Sequence, residues 1–292
     1  MTVEVLEPHG FCAGVGGALR KALRLSDCRY TVDGARTTYC LHELVHNELV
    51  VAGLRRRGFV FVESLDEVPD GATVLFSAHG VSPDVRAKAE ARKLAVVDAT
   101  CPFVTRVHNA ARAFAERGLP VVIIGKPDHA EVVGILGEAP GATVVRNLAD
   151  AKALGDGTPD MERGTGGGRK SVGVVSQTTM NADEVREIVA ALRERFDVET
   201  TAEVCNATKE RQDAVKSFDG DALLVLGSAN SSNTRRLCEV ARCRTFRAGT
   251  MDEVRSIDFA GVCRLGVTSG ASTPEDFLED AVRFLCKDKE ST

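Results

Sequence analysis

Short apolar runs rich in β-branched residues alternate with helix-length segments along nearly the whole chain, and this alternation restricts the fold more than any other feature. It predicts strands at Thr73–Phe76, Ala95–Val97, Val121–Ile124, Val172–Val175, Leu223–Leu226 and Leu265–Val267. It predicts helices at Val85–Leu94, Val104–Arg117, Ala182–Phe196 and Pro274–Cys286. Continuous apolar strands separated by helices are typical of βα units, whose parallel sheets are covered on both faces. The sequence therefore predicts an α/β protein.

The composition excludes several other classes of protein. Apolar residues make up 43% and charged residues 27% of the 292 residues, unlike a disordered or collagen-like chain. The net charge of −5 does not indicate a nucleic-acid partner. No apolar run reaches the ~20 residues of a transmembrane helix and no signal peptide is recognisable, so we expect a cytoplasmic protein without a membrane partner. The Gly-rich, charged stretch Gly155–Lys170 is predicted to be an exposed loop.

Three cysteines occupy equivalent positions in this pattern. Cys12, Cys101 and Cys205 each follow a β-rich run and open a helix, at separations of 89 and 104 residues. Three α/β units, each presenting one cysteine at the carboxyl end of a strand, would explain the spacing, and parallel sheets bind ligands at that end. We expect the units to span residues 12–100, 101–202 and 203–286, with residues 1–11 adding a strand to the third.

The nine cysteines do not indicate a disulfide framework, because their number is odd and the expected compartment is reducing. Helix N-termini favour the thiolate that binds metals, so three converging thiolates would hold a metal ion or cluster with one open position. The sequence contains no C-x-x-C pair, so it does not predict a zinc ribbon or a ferredoxin-type cluster motif. Taken alone, each of the three is more simply a core residue. The others are predicted to be core residues: Cys28, Cys40, Cys238, Cys243, Cys263 and Cys286.

Polar residues at other strand–helix junctions point to an anion. His46, His79 and His129 lie at such junctions, whereas His9, His42 and His108 are interpreted as structural. The turns at residues 227–233 and 268–274 place hydroxyl and backbone N–H groups at helix N-termini, where phosphate binds. Simple N-capping explains either turn alone. Together with neutral histidines they predict an uncharged phosphate pocket. No Walker A sequence occurs, and Leu19 stands at the third glycine position of the dinucleotide fingerprint.

One carboxyl group is a candidate proton carrier. Glu131 comes two residues after His129, in the first turn of a predicted helix, where most glutamates merely favour the helix dipole. If it faces the pocket beside His129, it could transfer a proton. Thr178 again follows a strand and could orient that proton.

Seven stretches ordered along almost the whole chain resemble one family, the 4-hydroxy-3-methylbut-2-enyl diphosphate reductases, which catalyse the last step of the methylerythritol phosphate route to isoprenoids. The resemblance is carried by residues 10–15 (GFCAGV), 42–47 (HELVHN), 76–81 (FSAHGV), 98–102 (DATCP), 176–179 (SQTT), 227–233 (GSANSSN) and 266–272 (GVTSGAS).

The resemblance implies a fold of three pseudo-threefold-related α/β units around a central 4Fe–4S cluster with one open iron. By the same resemblance Cys12, Cys101 and Cys205 hold the cluster, and Glu131 passes protons to the departing hydroxyl group. It implies substrate contacts from His46, His79, His129, Thr178, Ser231, Ser232, Asn233 and Ser272. Ferredoxin or flavodoxin would supply two single electrons, and the products would be isopentenyl and dimethylallyl diphosphate.

Some positions depart from the family pattern, notably Gly16–Gly17, Ala130 and Asn206. These departures leave open the alternative that the chain is a paralogue that acts on another allylic diphosphate. A non-catalytic iron–sulfur or thiol redox sensor would keep the three cysteines but would have no need of Glu131 and Thr178. A zinc hydrolase would suit three thiolates and an open position, but it would have no need of two phosphate turns.

Overall fold

The computed structural model describes residues 1–27, 37–155, 169–201 and 204–287. Cys28 and nearly all of the predicted loop Gly155–Lys170 lie outside these ranges. None of the helices within them is both long and apolar enough to span a bilayer.

The described residues form twelve strands, all of which pair in parallel. The strands are β1 (Thr2–Val5), β2 (Thr38–Leu41), β3 (Phe59–Val62), β4 (Thr73–Phe76), β5 (Ala95–Asp98), β6 (Val121–Ile124), β7 (Thr143–Val145), β8 (Ser171–Ser176), β9 (Asp197–Thr200), β10 (Ala222–Leu226), β11 (Arg244–Ala248) and β12 (Arg264–Ser269).

The same ranges contain eleven α-helices and a short 3-10 helix at Leu65–Glu67. The helices are α1 (Ala13–Asp27), α2 (Glu48–Arg56), α3 (Pro83–Ala91), α4 (Pro102–Glu116), α5 (Ala130–Glu138), α6 (Leu148–Ala153), α7 (Ala182–Arg195), α8 (Asn206–Ser217), α9 (Ser232–Val240), α10 (Met251–Ser256) and α11 (Glu275–Lys287). Polar caps define several N-termini: the side chains of Asn47, Asn181 and Ser231 accept backbone N–H bonds at the starts of α2, α7 and α9.

The strands form three similar four-stranded sheets, with orders β3-β2-β4-β5, β7-β6-β8-β9 and β1-β12-β10-β11. The first sheet uses residues 38–98 and the second uses residues 121–200. The third uses residues 222–269 together with the N-terminal strand, since β1 pairs with β12. The predicted α/β class with three similar parallel units is confirmed, whereas the unit boundaries at residues 12, 101 and 203 stay a prediction.

Each sheet is covered on both faces, which explains why its central strands read as continuous apolar runs. In the second sheet, Val122 and Ile124 pack toward α6 and α7, and Ile123 packs toward α4 and α5. Burying a side chain of this size contributes about 1.5–3 kcal/mol to folding. The core is thus divided into clusters that hold the carboxyl ends of the strands in fixed positions.

Two of the predicted core cysteines lie at the surface instead. Cys263 is exposed just before β12, and Cys286 is exposed in the last turn of α11, on the face turned away from the core. For these two residues the core prediction was wrong, because position within an element does not by itself decide which face a side chain occupies. Cys40 is fully buried in β2, and Cys238 and Cys243 are partly buried.

Candidate active site

Residues that follow the carboxyl ends of strands in all three sheets line one shared cavity. Every residue assigned to a site from the sequence is among its lining groups: Cys12, His46, His79, Cys101, His129, Glu131, Thr178, Cys205, Ser231, Ser232, Asn233 and Ser272. The three units therefore meet at their ligand-binding ends, and the cavity receives side chains from each of them.

Three free thiols lie at the N-termini of helices. Cys12 directly precedes α1, and Cys101 and Cys205 are the N-cap residues of α4 and α8. The backbone N–H of Val15 donates to the Cys12 Sγ at 3.4 Å, and the Cys205 Sγ lies 3.1 Å from the Thr208 hydroxyl. Burial raises the pKa of Cys101 and of Cys205, and backbone N–H groups of the first helical turns act against this effect. These thiols are placed as metal-binding thiolates would be.

Gly14 has no side chain, and this leaves room for the sulfur atoms of Cys101 and Cys12. A Cβ atom at this position would stand 2.5 Å from the Cys101 Sγ and 3.8 Å from the Cys12 Sγ. Only a glycine is therefore compatible with the approach of Cys101 to α1. Among the described residues, no group of three or more His, Cys, Asp or Glu side chains is arranged to hold a single metal ion.

Three imidazole rings form a compact group beside the thiols. The rings of His46 and His79 stack with centroids 4.1 Å apart, and the His129 ring meets them edge-on at 5.3 and 5.6 Å. Burial lowers the pKa of His79 well below its usual value and lowers the pKa of His129 to about 3. The neighbouring His46 ring lowers both pKa values further. His79 and His129 are therefore neutral and polar at physiological pH.

The hydrogen bond of His129 determines which of its nitrogens carries the proton. The backbone N–H of Glu131 donates to the His129 Nδ1 at 3.2 Å, so that Nδ1 acts as an acceptor. In the neutral ring the proton then lies on Nε2. His129 can accordingly offer one N–H donor to a ligand.

Glu131 and Thr178 form a buried pair in the same cavity. The carboxyl group is 1% exposed, and its Oε1 accepts a bond from the Thr178 N–H at 2.7 Å. The Thr178 hydroxyl lies 3.0 Å from Oε2. Burial raises the pKa of Glu131 to about 7, although both Thr178 contacts act in the opposite direction. The carboxyl group therefore holds a proton near neutral pH, as a general acid requires.

The far wall of the cavity is made by hydroxyl and amide groups at the start of α9. Ser231 caps this helix, and Ser232 and Asn233 are buried in its first turn. Neither Oδ1 nor Nδ2 of Asn233 has a hydrogen-bond partner among the described residues, although its side chain is buried. Buried polar atoms are normally paired, so these two atoms indicate a place for a polar ligand.

Contacts between units hold this wall in place. The Ser272 hydroxyl donates to the carbonyl oxygen of His46 at 3.1 Å, which joins the third unit to the first. The amide of Gln177 donates to the hydroxyls of Thr179 and Ser232 at 2.8 and 3.2 Å, which joins the second unit to the third. Gln177 had no role assigned from the sequence, although it stands in a recognised motif. Its full burial is the signal that identifies it.

The departures from the family pattern lie at the margin of the cavity or outside it. Ala130 lines a second, outer cavity that shares His46 and His129 with the first. Asn206 is exposed as the first residue of α8, and a Cβ atom at Gly16 would meet only the end of the Arg20 side chain. None of the three displaces a residue of the inner cavity.

Comparison with known families agrees with this geometry. The family model described as LytB protein matches residues 3–286, which is nearly the whole chain. The chain belongs to the LytB family. Curated relatives of this LytB chain carry the name 4-hydroxy-3-methylbut-2-enyl diphosphate reductase. One from Acidithiobacillus ferrooxidans is 40% identical and is aligned over 98% of this chain and 89% of its own length. One from Mycobacterium ulcerans is 44% identical over 98% of this chain and 84% of its own length.

Solved structures show the same relationship for this LytB protein. The E-1-hydroxy-2-methyl-but-2-enyl-4-diphosphate reductase from Plasmodium falciparum superposes with a TM-score of 0.86 and 30% identity. The match covers 97% of this chain and 87% of the Plasmodium chain. A second solved reductase, described as the terminal enzyme of the non-mevalonate pathway, superposes with a TM-score of 0.65 and 30% identity.

Proposed function

We propose that this LytB protein removes the hydroxyl group of 4-hydroxy-3-methylbut-2-enyl diphosphate reductively and forms isopentenyl and dimethylallyl diphosphate. The reaction consumes two electrons and two protons and releases the hydroxyl oxygen as water. The observation that carries the proposal is the buried Glu131 carboxyl group, which shares one cavity with three free thiols and three imidazoles.

The cofactor of this reaction is proposed to be a 4Fe–4S cluster held by Cys12, Cys101 and Cys205. The thiols fit such a group, because they face one cavity from three helix N-termini and Gly14 keeps the space between two of them free. When bound, a cluster with one open iron would supply single electrons and a Lewis-acidic position for the hydroxyl oxygen. Ferredoxin or flavodoxin is the proposed electron donor.

The diphosphate is proposed to bind at the hydroxyl- and imidazole-lined side of the cavity. His46 and His79 offer ring nitrogens, and Ser231, Ser232 and Asn233 offer side-chain donors at a helix N-terminus. Ser272 fixes the His46 segment through its backbone bond. Because His79 is neutral before the ligand arrives, it recognises the diphosphate through hydrogen bonds rather than through a fixed charge.

Glu131 is proposed to deliver a proton to the departing hydroxyl group. Its raised pKa keeps the proton on the carboxyl group near pH 7, and Thr178 holds the group in one orientation through both oxygens. His129, with a proton on Nε2, is proposed to position the substrate beside this carboxyl group. A redox sensor on the same scaffold would gain nothing from a buried acid held in this way.

Anaerobic turnover tests the proposed function directly. Protein loaded with iron and sulfide is mixed with 4-hydroxy-3-methylbut-2-enyl diphosphate and a one-electron reductant, and the products are identified by mass spectrometry. We expect both isomeric diphosphates. A fully loaded protein that forms neither product would contradict the proposal and would favour the sensor or a paralogue for another allylic diphosphate.

Replacing Asn233 by alanine is expected to raise KM ~10- to 100-fold, since a hydrogen bond to a charged group contributes about 1.5–3 kcal/mol. The midpoint of chemical unfolding should not fall, because the Asn233 amide has no hydrogen-bond partner to lose among the described residues. Asn181→Ala is the matched control. Asn181 caps α7 outside the cavity, so this variant should lose about 1 kcal/mol of stability and keep its KM. An unchanged KM in Asn233→Ala would remove this residue from the diphosphate site.

A further inference from the structure

Arg211 places a buried positive charge between two of the cysteine-bearing segments. It lies on α8, whose N-cap is Cys205, and its side chain is 3% exposed. The guanidinium group donates to the carbonyl oxygens of Gly10 at 2.8 Å and His9 at 3.2 Å, in the segment that leads into Cys12. A third bond reaches the carbonyl of Ala207 at 2.9 Å. Arg211 thus ties the Cys12 segment to the Cys205 helix.

No carboxylate of the described residues forms an ion pair with this guanidinium group, and its Nε atom has no partner there. Arg236 is also deeply buried, at 8% exposure, and its Nε also lacks a partner among the described residues, but its guanidinium group pairs with Glu184 at 3.3 Å and with Glu239 at 2.5 Å. Arginine stays protonated when buried, and an uncompensated buried charge costs several kcal/mol. Arg211 joins the segment that leads into Cys12 to the helix that Cys205 caps, so a negatively charged group held by these two cysteines would supply the missing counter-charge.

We propose that Arg211 is the counter-charge of the iron–sulfur cluster and that it raises the reduction potential of that cluster. This inference rests on the proposed cofactor. Reduction adds one electron, and a fixed positive charge in a poorly solvated site stabilises the more negative state. Arg211 is a positioning residue, since it acts through the cluster and its ligand segments rather than on the substrate.

The test is a redox titration of Arg211→Gln in cluster-loaded protein, followed by the electron paramagnetic resonance signal of the reduced cluster. We expect the equilibrium constant for one-electron reduction to fall at least tenfold, which is a shift of 59 mV to more negative potential. Arg236→Gln is the control, because it also removes a buried guanidinium group. It should lower the unfolding midpoint and leave the potential unchanged.

Arg211→Lys separates charge from hydrogen bonding, and it decides the matter if Arg211→Gln holds no cluster. A lysine keeps the charge but cannot make the same set of hydrogen bonds. The equilibrium constant for cluster reduction in Arg211→Lys should therefore stay within tenfold of the wild-type value. A wild-type potential in Arg211→Gln, or a tenfold loss in Arg211→Lys, would overturn the proposed electrostatic role. A wild-type protein that takes up no iron and sulfide would instead refute the cofactor itself.

Discussion

Replacing Glu131 by glutamine is expected to lower kcat ~10²- to 10⁴-fold, the usual contribution of a positioned general acid. Glutamine has nearly the same shape and can still accept the Thr178 N–H bond, so the cavity should keep its form. What the variant lacks is an acidic proton for the departing hydroxyl group. The cluster should survive, because Glu131 is not among the proposed ligands.

Single-turnover and steady-state kinetics measure this effect, and iron and sulfide analysis shows that the variant is loaded. Glu138→Gln is the matched control on the same helix. Glu138 is buried, but it pairs with His108 at 3.1 Å and Arg112 at 3.4 Å and does not line the cavity. This control should lose stability and keep its kcat. Turnover of Glu131→Gln at the wild-type rate would exclude the proton role.

The pH dependence of the wild-type protein follows from the same carboxyl group. Its pKa is about 7 in the fold, against a usual 4.5, so turnover should decrease as pH rises through about 7 and the acid loses its proton. The contribution of Glu131 to stability should change in the same direction. The folded state favours the neutral form, so this contribution is complete below pH 4.5 and is lost by the time pH exceeds about 7. The buried histidines act in the opposite direction but are common to both proteins, so the unfolding free energy of the wild-type protein should fall by about 3 kcal/mol relative to that of Glu131→Gln over this range.

Hydrophobic pattern predicted the buried strands of this fold and missed some edge strands for a physical reason. A central strand such as β6 (Val121–Ile124) is buried on both faces and reads as a continuous apolar run. β11 (Arg244–Ala248) lies at the edge of its sheet, is only partly buried and carries two arginines. The pairing of β1 with β12 joins residues more than 250 positions apart, so no local pattern of β1 determines its partner.

Motifs predicted residues that line the cavity, but they did not predict the chemical state of those residues. The first-turn position of Glu131 suggests stabilisation of its negative charge, whereas burial has the larger effect and raises its pKa. The Ser232 partner of Gln177 is 55 residues away, and the Gly10 partner of Arg211 is 201 residues away. The sequence also could not predict that the Asn233 amide lacks a hydrogen-bond partner among the described residues, because that depends on where every neighbouring group lies.

Replacing Cys101 by serine is expected to abolish measurable turnover and most of the iron content. A hydroxyl group is a harder and far less acidic ligand than a thiol, and it binds iron–sulfur clusters poorly. The variant should fold, because serine is a favoured N-cap residue and can accept from the backbone N–H groups at the start of α4 in place of the sulfur. Iron and sulfide analysis with visible absorbance of anaerobically reconstituted protein measures the effect.

Two other cysteines separate cluster loss from general damage. Cys286→Ser changes an exposed thiol and should match the wild-type in iron, stability and rate. Cys40→Ser places a hydroxyl group in a fully buried strand position, where burial raises the thiol pKa to about 12, so it should cost about 1–3 kcal/mol of stability. That variant should nevertheless load its cluster, since Cys40 lies outside the cavity. Equal iron in Cys101→Ser and Cys286→Ser would remove Cys101 from the ligand set. The space that Gly14 leaves for its sulfur would then need another explanation.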